Sequence, residues 1–72
     1  MSDYELSNDE KVTVIITHLR NLSYTKYNTE LSIIEEESLE APSTENLAQL
    51  NAQLVSVNTK VAALAAELEL VR

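Results

Sequence analysis

The clearest pattern in the chain is a repeat of apolar residues in its second half. These residues are spaced alternately three and four positions apart, with no polar interruption: Leu47, Leu50, Leu54, Val57, Val61, Leu64, Leu68 and Val71. This spacing keeps side chains on one face of an α-helix, at the a and d positions of a heptad repeat. The pattern predicts a long amphipathic helix from about residue 44 to residue 71.

The first half predicts a second long helix, from about residue 8 to residue 40. Ser7 and Glu10 have the spacing of a capping box, in which each side chain accepts a hydrogen bond from the other residue's backbone N–H. The segment 12–17 is rich in β-branched residues and has the composition of a strand. We favour a helix there, because the cap before it and the long periodic stretch after it agree with each other.

A short turn at residues 41–43 separates the two predicted helices. Pro42 is the single proline, and it biases Ala41 away from helical geometry. Ser43 or Thr44 can then cap the second helix. Because a short connection makes two helices antiparallel neighbours, the predicted fold is all-α. It is a long, coiled-coil-like helical hairpin spanning residues 7–72, preceded by a polar lead of residues 1–6.

The hairpin geometry also predicts which residues of the first helix face the second. With the turn at 41–43, the numbers of facing residues should add up to about 84. The apolar pattern of the first helix shifts by about half a helical turn near Ser23. With this shift, an apolar residue of the first helix lies opposite nearly every apolar residue of the second helix. The predicted hairpin face of the first helix is Val12, Ile16, Leu19, Tyr24, Tyr27, Leu31 and Ile34.

Each helix also carries a second stripe with helical spacing. On the second helix this stripe is a candidate face for an oligomer or partner, made of Ala48, Ala52, Val55, Thr59, Ala62 and Ala66. On the first helix it is Ile15, Leu22, Thr29 and Ile33. Alanine is also the best helix former and needs no partner to explain it. Because a two-helix hairpin cannot bury two faces, we expect a helical bundle, first a dimer and second a trimer, or docking onto another protein.

Half of the carboxylates cluster around the predicted turn. The chain has 12 Asp and Glu against five Lys and Arg, for a net charge of −7. The candidate acidic tip consists of Glu30, Glu35, Glu36, Glu37, Glu40 and Glu45. Negative charge is unfavourable at the C-terminal end of a helix. The tip is therefore either a site for a basic partner or a divalent cation, or simply a solvated, solubilising end.

Several functions are disfavoured by composition. The chain has no glycine for a phosphate-binding loop, no cysteine for a zinc site and a single histidine, His18. Its acidic balance argues against binding nucleic acid or an anionic membrane. The longest apolar run, Val61–Ala66, is far shorter than the roughly 20 residues of a membrane span. We therefore expect no enzymatic activity, catalytic residue, cofactor, metal or small-molecule substrate.

A resemblance to known proteins rests on three segments, at 7–11, 14–28 and 30–36. They read SNDEK, VIITHLRNLSYTKYN and ELSIIEE. In these segments the chain resembles small, uncharacterised helical proteins encoded by tailed phages of cyanobacteria. The resemblance implies a phage origin, with the protein in the virion or the host cytoplasm. Without a phage origin, we expect a cytoplasmic protein.

Two functions fit these observations. The first is a non-enzymatic structural or protein-interaction module, such as a phage virion component or an assembly accessory. The second is a small acidic inhibitor or nucleic-acid mimic, whose carboxylates occupy a basic site on a host or defence protein.

Overall fold

The computed structural model describes residues 4–72, which form a helical hairpin. Helix α1 spans Asn8–Glu37 and helix α2 spans Thr44–Val71. They pack against each other in a rod of 60 × 17 × 15 Å. The prediction of an all-α helical hairpin is confirmed. Part of the predicted polar lead, residues 1–3, lies outside the described residues.

The start of α1 has the capping box that the sequence predicts. The Ser7 Oγ accepts a hydrogen bond from the Glu10 N–H at 3.1 Å, and the Glu10 carboxylate accepts one from the Ser7 N–H at 2.9 Å. In the β-branched segment that follows, the hydroxyls of Thr13 and Thr17 donate to the backbone carbonyls four residues earlier. These bonds satisfy the threonine hydroxyls within the helix. The segment is helical, as predicted, despite its composition.

The connection between the helices is longer than predicted. Helix α1 ends at Glu37 rather than near residue 40, and residues 38–43 reverse the chain. The Ser38 N–H donates to the Ile34 carbonyl at 3.0 Å and closes the last turn. A compact reversal commonly uses a left-handed residue, usually glycine, directly after the helix. The chain has no glycine, and no residue within 4–72 has a positive φ, so the reversal takes six residues.

The hairpin face of α2 consists of the eight residues of its apolar repeat. Val57 is buried, the other seven are half-buried, and every remaining residue of α2 is exposed. The unbroken spacing of three and four therefore corresponds to one continuous line of contact along α2.

The hairpin face of α1 differs from the predicted one. Five residues predicted to face α2 are exposed: Ile16, Tyr24, Tyr27, Leu31 and Ile34. Val12 and Leu19 are half-buried, as a hairpin face requires. The residues that complete this face come mainly from the stripe that we had interpreted as the second one. The observed face is Val12, Ile15, Leu19, Leu22, Thr29, Ile33 and Glu36, with Glu30 and Ser32 half-buried beside it. The spacing also places Lys26 on this face, where it is exposed.

The reason for the difference is the continuity of α1. The predicted face requires a slip near Ser23, whereas α1 is an uninterrupted α-helix whose contact residues keep the spacing of three and four. This spacing matches that of α2, although it brings polar Lys26 and Thr29 to the contact face. Thr29 is tolerated because its hydroxyl donates to the Thr25 carbonyl at 2.9 Å. Lysine at such a position can extend its charged end to water.

The observed register predicts different costs for substitutions at two adjacent isoleucines. Ile15 is 9% exposed and Ile16 is 49% exposed. Ile15→Ala should lower the free energy of unfolding by about 2 kcal/mol, and Ile16→Ala by less than half as much, because Ile16 buries less surface. Urea denaturation followed by circular dichroism measures both. Equal costs at the two positions would contradict the observed register.

Candidate functional site

Many large apolar side chains of this hairpin are exposed on its surface. Within residues 4–72, two apolar residues, Ile15 and Val57, are buried, whereas eleven large apolar residues are exposed. Surface patches of this kind mark sites of protein–protein interaction when the side chains are contiguous. Each helix carries one stripe of exposed residues that includes at least one large apolar side chain.

The first stripe, which we call the outer face of α1, points away from α2. Its residues are spaced three, four and three positions apart, and they are 66%, 62%, 37% and 60% exposed: Tyr24, Tyr27, Leu31 and Ile34. Towards the N-terminus the same face continues with polar Arg20 and Thr17. The apolar part is therefore confined to residues 24–34. Their helical spacing is visible in the sequence, but the sequence pattern predicts that these four residues contact α2, and so it misses them as an exposed face.

The second stripe, the outer stripe of α2, is the predicted partner face. All six of its residues are exposed: Ala48, Ala52, Val55, Thr59, Ala62 and Ala66. Val55 is its one large apolar side chain. The two stripes lie opposite the hairpin faces of their helices, so they point to opposite sides of the rod.

The six carboxylates of the predicted acidic tip do not act as one group. Glu35, Glu37, Glu40 and Glu45 are exposed, whereas Glu30 and Glu36 are half-buried. The Glu36 carboxylate crosses to α2, where it accepts hydrogen bonds from the Ser43 N–H at 3.2 Å and the Asn46 side-chain amide at 2.9 Å. Glu36 therefore belongs to the hairpin contact, and the exposed part of the tip consists of the other carboxylates.

Glu36 completes the cap of α2 from the opposite helix. In α1 the residue three positions after the cap is Glu10, which reaches back to the cap residue. In α2 the equivalent residue is Asn46, and the Ser43 N–H is satisfied by Glu36 instead. The antiparallel arrangement places the end of α1 beside the positive N-terminal end of α2, which favours a carboxylate there. The absence of an acidic residue at position 46 is the signal that could have predicted this contact.

An open groove of about 480 Å³ lies on one side of the tip, between the two helices. Its lining is mostly amide, carboxylate and aliphatic: Ser32, Glu35, Glu36, Leu39, Asn46, Gln49, Leu50 and Gln53. The Ser32 hydroxyl donates to the Asn28 carbonyl, and no histidine lines the groove to activate it.

Within residues 4–72 no group of three His, Asp or Glu side chains is placed to hold a metal ion. Neither helix of this region is apolar enough over its length to cross a membrane.

The capping box of α1 predicts a pH dependence. Hydrogen bonds from the Ser7 backbone and hydroxyl lower the pKa of Glu10 from its usual 4.5. Because a lowered pKa means that folding favours the ionised form, this contribution to stability is complete above the usual pKa and is lost as the pH falls through the lowered one. Ser7→Ala removes the hydroxyl and keeps the backbone N–H, so in an NMR titration it should return the pKa of Glu10 only part of the way to its usual value. The same pKa in both proteins would contradict the contribution of the hydroxyl.

The contact of Glu36 predicts unequal effects for two neighbouring carboxylates. Glu36→Ala removes two hydrogen bonds at the start of α2 and should lower the free energy of unfolding by about 1 kcal/mol. Glu37→Ala removes the same charge from the same cluster without those bonds, so it is the matched control and should be nearly neutral. Thermal denaturation followed by circular dichroism measures both. If Glu36→Ala instead stabilises the hairpin, charge repulsion at the tip outweighs the cap.

Comparison with known proteins yields no match to a protein family, a curated protein or a solved structure. The function of the chain must therefore be inferred from its own surfaces and charges.

Proposed function

We propose that the chain is a non-enzymatic protein-interaction module that works by packing its outer helix faces against other helices. The observation that carries this proposal is the number of large apolar side chains left in water: within residues 4–72 eleven are exposed and two are buried, and the rest are half-buried. A monomeric protein of this size gains little stability from so few buried side chains, and it has no disulfide to compensate. Association with another helical surface would bury what the hairpin leaves exposed.

A second copy of the chain is the simplest partner. Two hairpins that pack side by side bring four helices into one assembly, and antiparallel helices commonly associate in this way. If the chain is phage-encoded, as its resemblance implies, such an assembly would serve as a virion component or an assembly accessory. Peptide mapping of purified virions would test that placement.

The acidic tip supports a second candidate function, an inhibitor or nucleic-acid mimic directed at a basic protein. Four of its carboxylates are exposed, and none of them forms an ion pair within residues 4–72. Binding of this kind would weaken steeply with salt and upon Glu35→Gln, Glu37→Gln substitution. Self-association through apolar faces would depend much less on salt, so salt dependence separates the two functions.

The proposed function predicts self-association at micromolar concentration. Sedimentation velocity of the full chain should show a species of at least twice the 8.0 kDa chain mass. The midpoint of thermal unfolding should also rise with protein concentration, because mass action stabilises an associated state. A fully helical monomer at tens of micromolar, with a constant midpoint, would contradict self-association.

A further inference from the structure

We infer that the outer face of α1 binds the same face of a second copy, with the two hairpins antiparallel. This inference rests on the proposed self-association and adds the face and the direction. Three observations carry it: the composition of the face, the distribution of charge along the rod, and the position of Arg20.

The outer face of α1 is self-complementary in the antiparallel direction. It has two tyrosines at one end and two aliphatic residues at the other, centred near residue 29. When two copies meet about this centre, Tyr24 lies opposite Ile34 of the second copy, and Tyr27 lies opposite Leu31 of the second copy. Each contact then pairs an aromatic ring with an aliphatic side chain, and each tyrosine hydroxyl stays near water. The same surface used on both copies is the usual form of a two-fold symmetric dimer.

The charge along the rod favours the same direction. Residues 27–59, the half that contains the tip, carry six carboxylates and no Lys or Arg, a charge of −6. The remaining residues carry six carboxylates and all five Lys and Arg, a charge of −1. A parallel dimer would place the two −6 halves side by side. An antiparallel dimer centred near residue 29 places residues 32–38, with Glu35, Glu36 and Glu37, opposite residues 20–26 of the second copy, with Arg20 and Lys26, and so reduces repulsion.

Arg20 lies where this arrangement needs a positive charge. It is exposed on the outer face of α1, one turn before Tyr24. In the antiparallel dimer it lies opposite the last turn of α1 of the second copy, which carries exposed Glu35 and Glu37. Two-fold symmetry repeats this contact, so each end of the apolar patch is closed by a pair of opposite charges.

The face is tested by two substitutions that add the same charge on opposite sides of the rod. Tyr27→Glu places a carboxylate at the centre of the outer face of α1, and should weaken the dimer by at least about tenfold in Kd. Ala52→Glu, on the outer stripe of α2, is the matched control and should leave the Kd nearly unchanged. Arg20→Glu should also weaken the dimer, whereas Lys60→Glu on α2 should not. Sedimentation equilibrium measures Kd, and circular dichroism verifies that each variant remains helical.

The direction is tested by a distance between spin labels. Because the chain has no cysteine, His18→Cys provides one label site in each copy. In the antiparallel dimer the two labels are separated by about 22 helical residues, or about 33 Å along the axis at about 1.5 Å per residue. In a parallel dimer the two labels would lie at the same height along the axis, so the distance between them would be clearly shorter.

The outcomes separate this inference from the proposed function. A dimer that tolerates Tyr27→Glu but dissociates with Ala52→Glu overturns the assigned face, and a short label distance overturns the assigned direction. In both cases self-association itself stands. A monomer at every concentration overturns self-association and the dimer together.

Discussion

The continuous periodicity of α2 is the constraint on which the rest of the structure depends. Its eight contact residues keep one spacing from Leu47 to Val71, so its partner must keep the same spacing to stay in contact. Helix α1 does so without interruption and accepts Lys26 and Thr29 on the contact face. The two tyrosines and two aliphatic residues of its outer face are thereby left in water. The exposed surface that suggests a function is thus a result of how the hairpin packs.

The sequence was sufficient for the elements and insufficient for one of the two contact faces. The capping residues, the break before Pro42 and the repeat of α2 are local signals, and they predicted both helices and their pairing. Two contact faces were possible for α1. One has more hydrophobic residues but needs a shift in the helical spacing near Ser23, and the other has fewer hydrophobic residues and needs no shift. Hydrophobicity favours Tyr24 and Tyr27, but a change of face would need a local distortion of the helix. The hydrophobic pattern of a single sequence does not measure the energetic cost of that distortion.

The same limitation applies to the acidic tip. A row of glutamates at the end of a helix looks unfavourable when that helix is considered alone. In the hairpin, the end of α1 lies beside the start of α2, where Glu36 bonds Ser43 and Asn46. The role of one carboxylate therefore depends on a contact between helices, and its one local sign is the lack of an acidic residue at position 46. The neighbouring exposed carboxylates have no such contact, and their effect is on the net charge of that half of the rod.

The contact of Glu36 also bears on how the hairpin forms. It joins residues seven and ten positions apart, whereas contacts between Val12 and the end of α2 would close nearly the whole chain. The entropic cost of closing a loop rises with its length, so the tip is the least costly place to begin. The two helices should therefore pack first at the tip and then progressively towards the termini. The contact of Glu36 then fixes which residues of α1 and α2 face each other at the tip. The alignment of every residue pair that forms later along the rod depends on it.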